Sequence, residues 1–270
     1  MANYDILGNI AILKFHDNVS DEAKMNEAKK ILTQYKGVST VLEKTDKVHG
    51  RLRTIKTRLL VGKKTLIANY VENGCKFNLN VETCYFSPRL SNERLEIAKI
   101  INKIKKPRVL VMFSGVAPFP IVIAKHSRVS NIVSIELGKD CEKYARENIK
   151  LNKLDNIIEH IQGDVKRIIP KLLNGRLSVK GNLVPLQFDV VVMPRPNLKE
   201  TFLKEALAVS KKGALIIYYG FCAETKLQIM LAEIHRQAEK CKKKVKITNI
   251  KEAGDIAPYE HRYRIEMKVL

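Results

Sequence analysis

Val109-Leu110-Val111-Met112-Phe113-Ser114-Gly115-Val116-Ala117-Pro118-Phe119 is the stretch that decides the fold. Val109–Phe113 has no polar residue to turn toward water, so it reads as a strand covered on both faces, as in parallel sheets. A tight turn of small residues follows, and Pro118 stands near the first position of a helix. Strand, glycine-bearing turn and helix together open a nucleotide-binding α/β unit, because a ligand there must approach the backbone closely. Taken alone the signal is weak, since small residues also simply serve a turn.

Working outward, the rhythm continues downstream. Asn131–Ile135, Ile157–Ile161, Val190–Met193 and Ala214–Tyr219 read as further strands. Phe119–Lys125, Lys139–Leu151, Val165–Leu173, Leu198–Val209 and Thr225–Cys241 read as the helices between and after them. Apolar strands alternating with helices predict a doubly wound, Rossmann-like α/β domain. Val245–Ile250 and Arg262–Val269 predict an antiparallel addition at one edge, and Asn174–Gln187 a polar surface loop. Upstream, Ser91–Lys105 has helical spacing and ends near Pro107. The first eighty residues differ: one helix, Asp21–Tyr35, lies among short strand patterns. These are Ile6–Phe15 with a turn at Gly8, Thr40–Leu42, Arg58–Val61, Leu66–Tyr70 and Lys76–Asn80. The expected organisation is a small α+β domain over 1–80 and the α/β domain over 81–270.

Charge adds a partner. The 270 residues carry 49 Lys+Arg against 28 Asp+Glu, a balance of +21 that suits a polyanion. Lysine-rich surfaces also mark heat-adapted proteins, but there glutamate usually keeps pace. Lys44, Lys47, Arg51, Arg53, Lys56 and Arg58 fall in one short segment, either a solvated loop or a phosphate-contacting arm. No apolar run reaches the eighteen or so residues of a membrane span, and the N-terminus is not patterned as a signal peptide. Five scattered cysteines without C-x-x-C spacing suggest neither a zinc site nor a disulfide framework. A cytoplasmic protein with reduced thiols is expected.

Three strand ends carry the candidate chemistry. After Gly115 comes Glu136, 21 residues on, close to the ~20 expected of an acid that binds ribose hydroxyls. Asp164 follows the third strand, where it can cap a helix or meet an adenine amino group. The trio fits S-adenosylmethionine or a dinucleotide, and the lack of G-x-G-x-x-G favours the former. Met193-Pro194-Arg195-Pro196 leaves the fourth strand; two prolines give a rigid turn or a wall beside a flat base.

Tyr85-Phe86-Ser87-Pro88-Arg89-Leu90-Ser91-Asn92-Glu93-Arg94, followed by Met112–Phe119, resembles the archaeal and eukaryotic tRNA (guanine-37 N1) methyltransferase family. Glu72-Asn73-Gly74-Cys75, Met193–Pro196 and Ala257-Pro258-Tyr259 also match, so the resemblance spans nearly the whole chain. It implies a class I methyltransferase domain, S-adenosylmethionine as cofactor and the anticodon stem-loop of tRNA as partner. A monomer is expected. The family usually has a further small N-terminal domain for the outer corner of tRNA; this sequence begins at what resembles the second domain, so that module is expected to be absent. Met193 in place of the usual Asn resembles an archaeal subgroup tied to wyosine synthesis, some of whose members also methylate 4-demethylwyosine at position 37.

The resemblance implies Glu93 as general base and Arg53 as catalytic arginine, with Pro194 beside the reacting base. It implies a cofactor pocket of Tyr85, Arg89, Arg94, Phe113, Gly115, Glu136, Leu137, Asp164, Val165, Pro194 and Pro196. The chemistry is consistent. Guanine N1 is protonated at neutral pH, so a carboxylate must take that proton, and a guanidinium can stabilise the charge left on O6. Without its flanking block, Glu93 would read as an acid in a helix's first turn, favoured by the dipole. The family usually has Asp at Val111 and Gly at Ala117, which implies a lost polar contact and an added methyl near the cofactor. Two alternatives stay open: an aminocarboxypropyltransferase of the wybutosine pathway using the same cofactor, and a non-catalytic tRNA-binding protein.

Overall fold

The structure is a computed structural model that describes residues 3–16, 18–46, 50, 52–179, 182–183, 187–195, 197–198 and 200–270. The chain opens with a four-stranded sheet, β1 (Asn3–Leu7), β2 (Ile10–Lys14), β3 (Thr40–Lys44) and β4 (Thr57–Gly62), in that order. The strand pattern expected over Ile6–Phe15, with its turn at Gly8, belongs to the β1–β2 hairpin. Gly8 takes φ +57° at its turn, and a Cβ there would meet the Asn69 carbonyl oxygen at 1.8 Å. Helix α1 (Asp21–Gln34), capped by the Ser20 hydroxyl, crosses over so that β2 and β3 pair in parallel. Its Ala28 and Ile31 bury against Leu13, Val41 and Leu60.

The hairpin β5 (Ile67–Glu72) and β6 (Cys75–Asn80) follows. Its Cys75 and Phe77 belong to the same apolar cluster as Val109 and Ile121. The buried amide of Asn148 clamps its edge, accepting from Asn78 N–H at 2.7 Å and donating to Asn78 C=O at 3.0 Å.

The larger unit contains α2 (Ser91–Ile101), β7 (Arg108–Met112), α3 (Pro118–His126), β8 (Asn131–Glu136), α4 (Lys139–Leu151), β9 (Ile158–Gln162) and α5 (Val165–Leu173). A two-by-two-residue hairpin, β10 (Ser178–Val179) and β11 (Asn182–Leu183), lies within the loop expected over Asn174–Gln187. Then come β12 (Phe188–Met193), α6 (Leu203–Val209), β13 (Ser210–Cys222), α7 (Leu227–Lys240), β14 (Val245–Ala257) and β15 (Glu260–Val269). The expected helix over Leu198–Val209 begins only at Leu203, because Phe202 is left-handed at φ +56° and breaks the chain into a turn.

Seven strands form one sheet in the order β14-β15-β13-β12-β7-β8-β9. The five from β9 to β13 are parallel, and β15 pairs antiparallel with both β13 and β14. Alternation sorts each strand onto two cores. Leu110, Met112, Val191, Met193, Ile216 and Tyr218 pack with α5, α6 and α7. Val109, Val111, Val190, Val192, Ile217 and Tyr219 pack with α2, α3 and α4. The expected doubly wound sheet with an antiparallel edge is what the chain forms. Strand order reverses between β7 and β12, which opens a crevice at their carboxyl ends.

Candidate active site

The turn after β7 shapes that crevice. Phe113, Gly115 and Ala117 all have positive φ, +58°, +55° and +67°. Three left-handed residues in five throw the backbone outward, and for Phe and Ala this costs about 1–2 kcal/mol each. A Cβ on Gly115 would touch only the Tyr85 carbonyl oxygen, at 3.7 Å, so the backbone there is open to the cleft. Ala117 and Val111, the two departures from the family pattern, are fully buried against α3 and do not line the cleft. Glycine would take the Ala117 backbone without strain, while the alanine methyl is retained by packing.

Glu136 ends β8 and is held from two sides. One carboxylate oxygen accepts from Gly115 N–H at 2.7 Å and the other from Gly138 N–H at 2.8 Å. Burial pushes its carboxyl above the usual range, against the amides of Gly138, Gly115 and Leu137 that favour the charge. Asp164 caps α5 by accepting from Lys166 N–H at 3.0 Å while also facing the cleft. Phe113, Ile135, Leu137, Val165 and Leu198 line the space between. Two carboxylates flanked by flat apolar surface suit an adenosyl group: hydroxyls for one acid, an amino group for the other, and a sandwich for the base. S-adenosylmethionine fits this donor set, with Gly115, Glu136, Leu137, Asp164 and Val165 as the residues that would hold it.

The opposite wall combines Leu52 and Arg53 of the first unit with residues of the larger one. Arg53, left-handed at φ +57°, lays its guanidinium 3.9 Å from the centre of the Tyr85 ring. This stack fixes the cation at the cleft mouth. Leu52, Leu90, Phe221 and Arg262 complete the wall. The cleft continues into a groove between the small unit and β14, lined in part by Lys44, Arg53, Arg89 and Arg262. Positive charge is dense here. Burial, then the cations of Lys14 and Arg53, push the Lys44 amine below its ordinary range.

The predicted residues are thus brought together unequally. Arg53, Tyr85, Phe113, Gly115, Glu136, Leu137, Asp164, Val165 and Pro194 line one cleft. Arg89 lies in the adjoining groove, donating to Asp5 at 3.0 and 2.8 Å. Arg94 is not at the cleft surface; it forms a two-pronged buried pair with Glu72 and donates to the Ser87 carbonyl at 3.0 Å. Pro196 lies outside the described residues, as do Lys47 and Arg51.

Glu93 sits one layer behind the cleft. Its Oε1 accepts from the Tyr219 hydroxyl at 2.7 Å and from Arg264 Nη1 at 2.9 Å. Arg264 is 1% exposed and spends its other donors on Glu96 at 2.9 Å and Glu266 at 3.0 Å. Arg264 holds Glu96 as a carboxylate down to about 2, even against burial, and Lys251 adds to the effect. Sequence reading missed Tyr219, Arg262 and Arg264. The signal for the two arginines is the alternation Arg262, Arg264, Glu266, Lys268 along β15, which reads as an ordinary wet face; Tyr219 reads as one more apolar position of β13.

Comparisons with known proteins agree over the whole chain. The family model described as the TRM5/TYW2 methyltransferase domain matches residues 68–248, and that of the TYW2 N-terminal domain matches 1–65. A tRNA (guanine(37)-N(1))/4-demethylwyosine(37)-methyltransferase of Nanoarchaeum equitans is 34% identical, covering 99% of this chain and all of that one. A tRNA (guanine(37)-N(1))-methyltransferase, Trm5b, of Pyrococcus abyssi is 31% identical over 99% of this chain and 74% of its own. The crystal structure of the P. abyssi Trm5b superposes with a TM-score of 0.82 at 28% identity, covering 99% of this chain and 74% of that one. A structure described as the complex of aTrm5 and tRNALeu gives a TM-score of 0.81 at 25% identity, covering 98% of this chain and 71% of that one.

Proposed function

The chain belongs to the TRM5/TYW2 methyltransferase family, and on that premise we propose that it methylates N1 of guanosine 37 in the anticodon loop of tRNA, with S-adenosylmethionine as donor. The observation that carries this reading is one cleft with two unlike walls. One wall offers Gly115, Glu136 and Asp164 to an adenosyl group; the other offers Arg53, stacked on Tyr85, to a nucleobase. S-adenosylmethionine supplies an activated methyl group when bound. Everything else falls to the chain: Glu136 and Asp164 orient, Pro194 stiffens the wall beside the base, and Arg53 neutralises charge gathering on O6. Glu93 is the final acceptor of the N1 proton. Residues 1–80 serve as the RNA-contacting unit and 81–270 as the methyltransferase unit, acting as a monomer in the cytoplasm. No helix among the described residues is long and apolar enough to cross a membrane.

A second reading adds methylation of 4-demethylwyosine at the same position. The N. equitans relative, which carries both activities in its name, favours it. Nucleoside mass spectrometry after incubation with tRNA transcripts and cofactor is the deciding experiment. N1-methylguanosine is expected; an aminocarboxypropyl adduct, or no product, would replace this reading with one of its alternatives.

Cofactor binding depends on Glu136. Calorimetry with S-adenosylmethionine is expected to give saturable binding to the wild type. In Glu136→Ala it falls at least tenfold, since a charge-assisted hydrogen bond is worth about 1.5–3 kcal/mol. Undiminished affinity would move the ribose contact elsewhere.

Transfer RNA binding is expected to weaken steeply with salt through counterion release. Replacing Lys44, Lys47 and Arg51 together should reduce the slope of log affinity against log salt by roughly 2, at about 0.7 per phosphate contact on single-stranded RNA. An unchanged slope would move the footprint elsewhere, for example to Lys240–Lys246.

A further inference from the structure

The proton acceptors at the cleft surface do not include Glu93. Glu136 is tied to two backbone amides and Asp164 to the start of α5, both on the adenosyl wall. Tyr219 does line the cleft, and its hydroxyl donates to Glu93 at 2.7 Å. Of the two tyrosines that line the cleft, Tyr85 and Tyr219, Tyr219 is the one whose hydroxyl is hydrogen-bonded to a carboxylate, though the residue as a whole is only 2% exposed. The residue where the family usually has an amide side chain is Met193, buried in the other core, which offers no hydrogen bond to this network.

We infer that Tyr219 is a catalytic residue, passing the N1 proton of the target guanine to Glu93. This rests on the N1-methylation reading above. In the step, guanine N1–H donates to Tyr219 Oη while the tyrosine's own proton moves to Glu93 Oε1. The N1 lone pair forms the bond to the methyl carbon as the carbon–sulfur bond breaks, its electrons staying on sulfur. Tyr219 ends as a neutral phenol, Glu93 as a carboxylic acid and the purine as neutral N1-methylguanine.

Two features support the relay. Burial, together with the neighbouring Glu93 carboxylate, pushes the Tyr219 phenol well above its ordinary value, so it stays protonated and hands a proton on in concert. The network behind it has room for one more proton. Among the described residues, the cations that pair with the carboxylates of Glu93, Glu96 and Glu266 are Arg264 and Lys251. Protonating Glu93 neutralises that cluster, and Arg264 keeps Glu96 and Glu266 as partners.

Tyr219→Phe tests the relay, since the ring keeps its tilted contact with Phe119 at 5.9 Å. Single-turnover methyl transfer is expected to fall about 10²-fold or more, with cofactor and tRNA affinity unchanged. Wild-type rates in mixtures of light and heavy water should curve with deuterium content, because two protons move together. A separate readout uses protein labelled with ¹³C at tyrosine Cζ, in the presence of S-adenosylhomocysteine. The Tyr219 resonance, assigned by its loss in Tyr219→Phe, should shift with tRNA bearing guanosine 37 and stay put with tRNA already methylated at N1. An active wild type with a near-normal Tyr219→Phe rate, a linear solvent dependence or an identical response to both tRNAs would overturn the relay and leave Glu93 as direct base. A wild type that forms no N1-methylguanosine would overturn the underlying reading as well.

Discussion

Replacing Glu93 by Gln is expected to lower single-turnover methyl transfer to a guanosine-37 transcript by about 10²–10⁴-fold, the usual loss when a general base is removed. Gln keeps the size of the side chain, and its carbonyl can still accept from the Tyr219 hydroxyl. It cannot hold the N1 proton. Affinity for cofactor and tRNA should barely move, because the carboxylate is needed in the transition state and not in the ground-state complex. The target base must first leave the anticodon-loop stack, a small cost for a loop nucleotide. The fold is expected to survive, since Arg264 retains Glu96 and Glu266 when the charge on Glu93 is lost. The loss of one charged hydrogen-bond partner should cost about 1.5–3 kcal/mol, visible as a modest drop in Tm. A near-normal rate would remove Glu93 from the chemistry. A variant that loses tRNA binding outright would make Glu93 a structural partner of Arg264.

The second large effect is on stability. Arg94 and Glu72 are each 2% exposed at the side chain and pair with each other at both prongs of the guanidinium. Arg94→Met leaves the Glu72 carboxylate buried without its counter-charge, which typically costs 3–5 kcal/mol. For a chain of this size that corresponds to a fall in Tm on the order of 10 °C. Adding Glu72→Gln should recover part of the loss, because replacing both ions is far cheaper than stranding one. Below the new Tm, S-adenosylmethionine binding should persist, since Arg94 lies behind the cleft and packs over Phe86 and Phe119. A stable Arg94→Met variant that has lost the cofactor would instead return Arg94 to the pocket that the family resemblance implies.

These two residues show why family likeness and geometry must be weighed together. Glu93 and Arg94 are neighbours in one sequence block, yet successive helical positions point about 100° apart. Glu93 therefore faces β13 and β15, while Arg94 faces the β5–β6 hairpin. The block marks a family; it does not say that each member touches the cofactor.

Much of the fold and one wall of the cleft could be read directly from the residues. Val109–Met112 has no polar residue to expose, so it must be a strand covered on both faces, and such strands come with crossover helices. Once β7, β8 and β9 are parallel neighbours, the residues at their carboxyl ends share a rim. Gly115, Glu136 and Asp164 meet for that reason alone, as their spacing along the chain foretells. The other wall and the proton network were not legible. Tyr219 and Arg264 lie 126 and 171 residues from Glu93. They reach it only because β15 inserts antiparallel between β13 and β14, with Tyr219 opposite Arg264 in the register. Local propensity cannot choose that order. Along β15, Arg262, Arg264, Glu266 and Lys268 alternate with Tyr263, Ile265, Met267 and Val269, a pattern that locally means one dry face and one wet one. In the folded chain Arg264 and Glu266 on the polar face are buried as well, because α2 brings Glu93 and Glu96 to neutralise the arginine. Periodicity along the chain set which residues share a face; only the packing of α2 onto β15 decided that a charged face would be closed off from water and hold a proton acceptor behind the cleft.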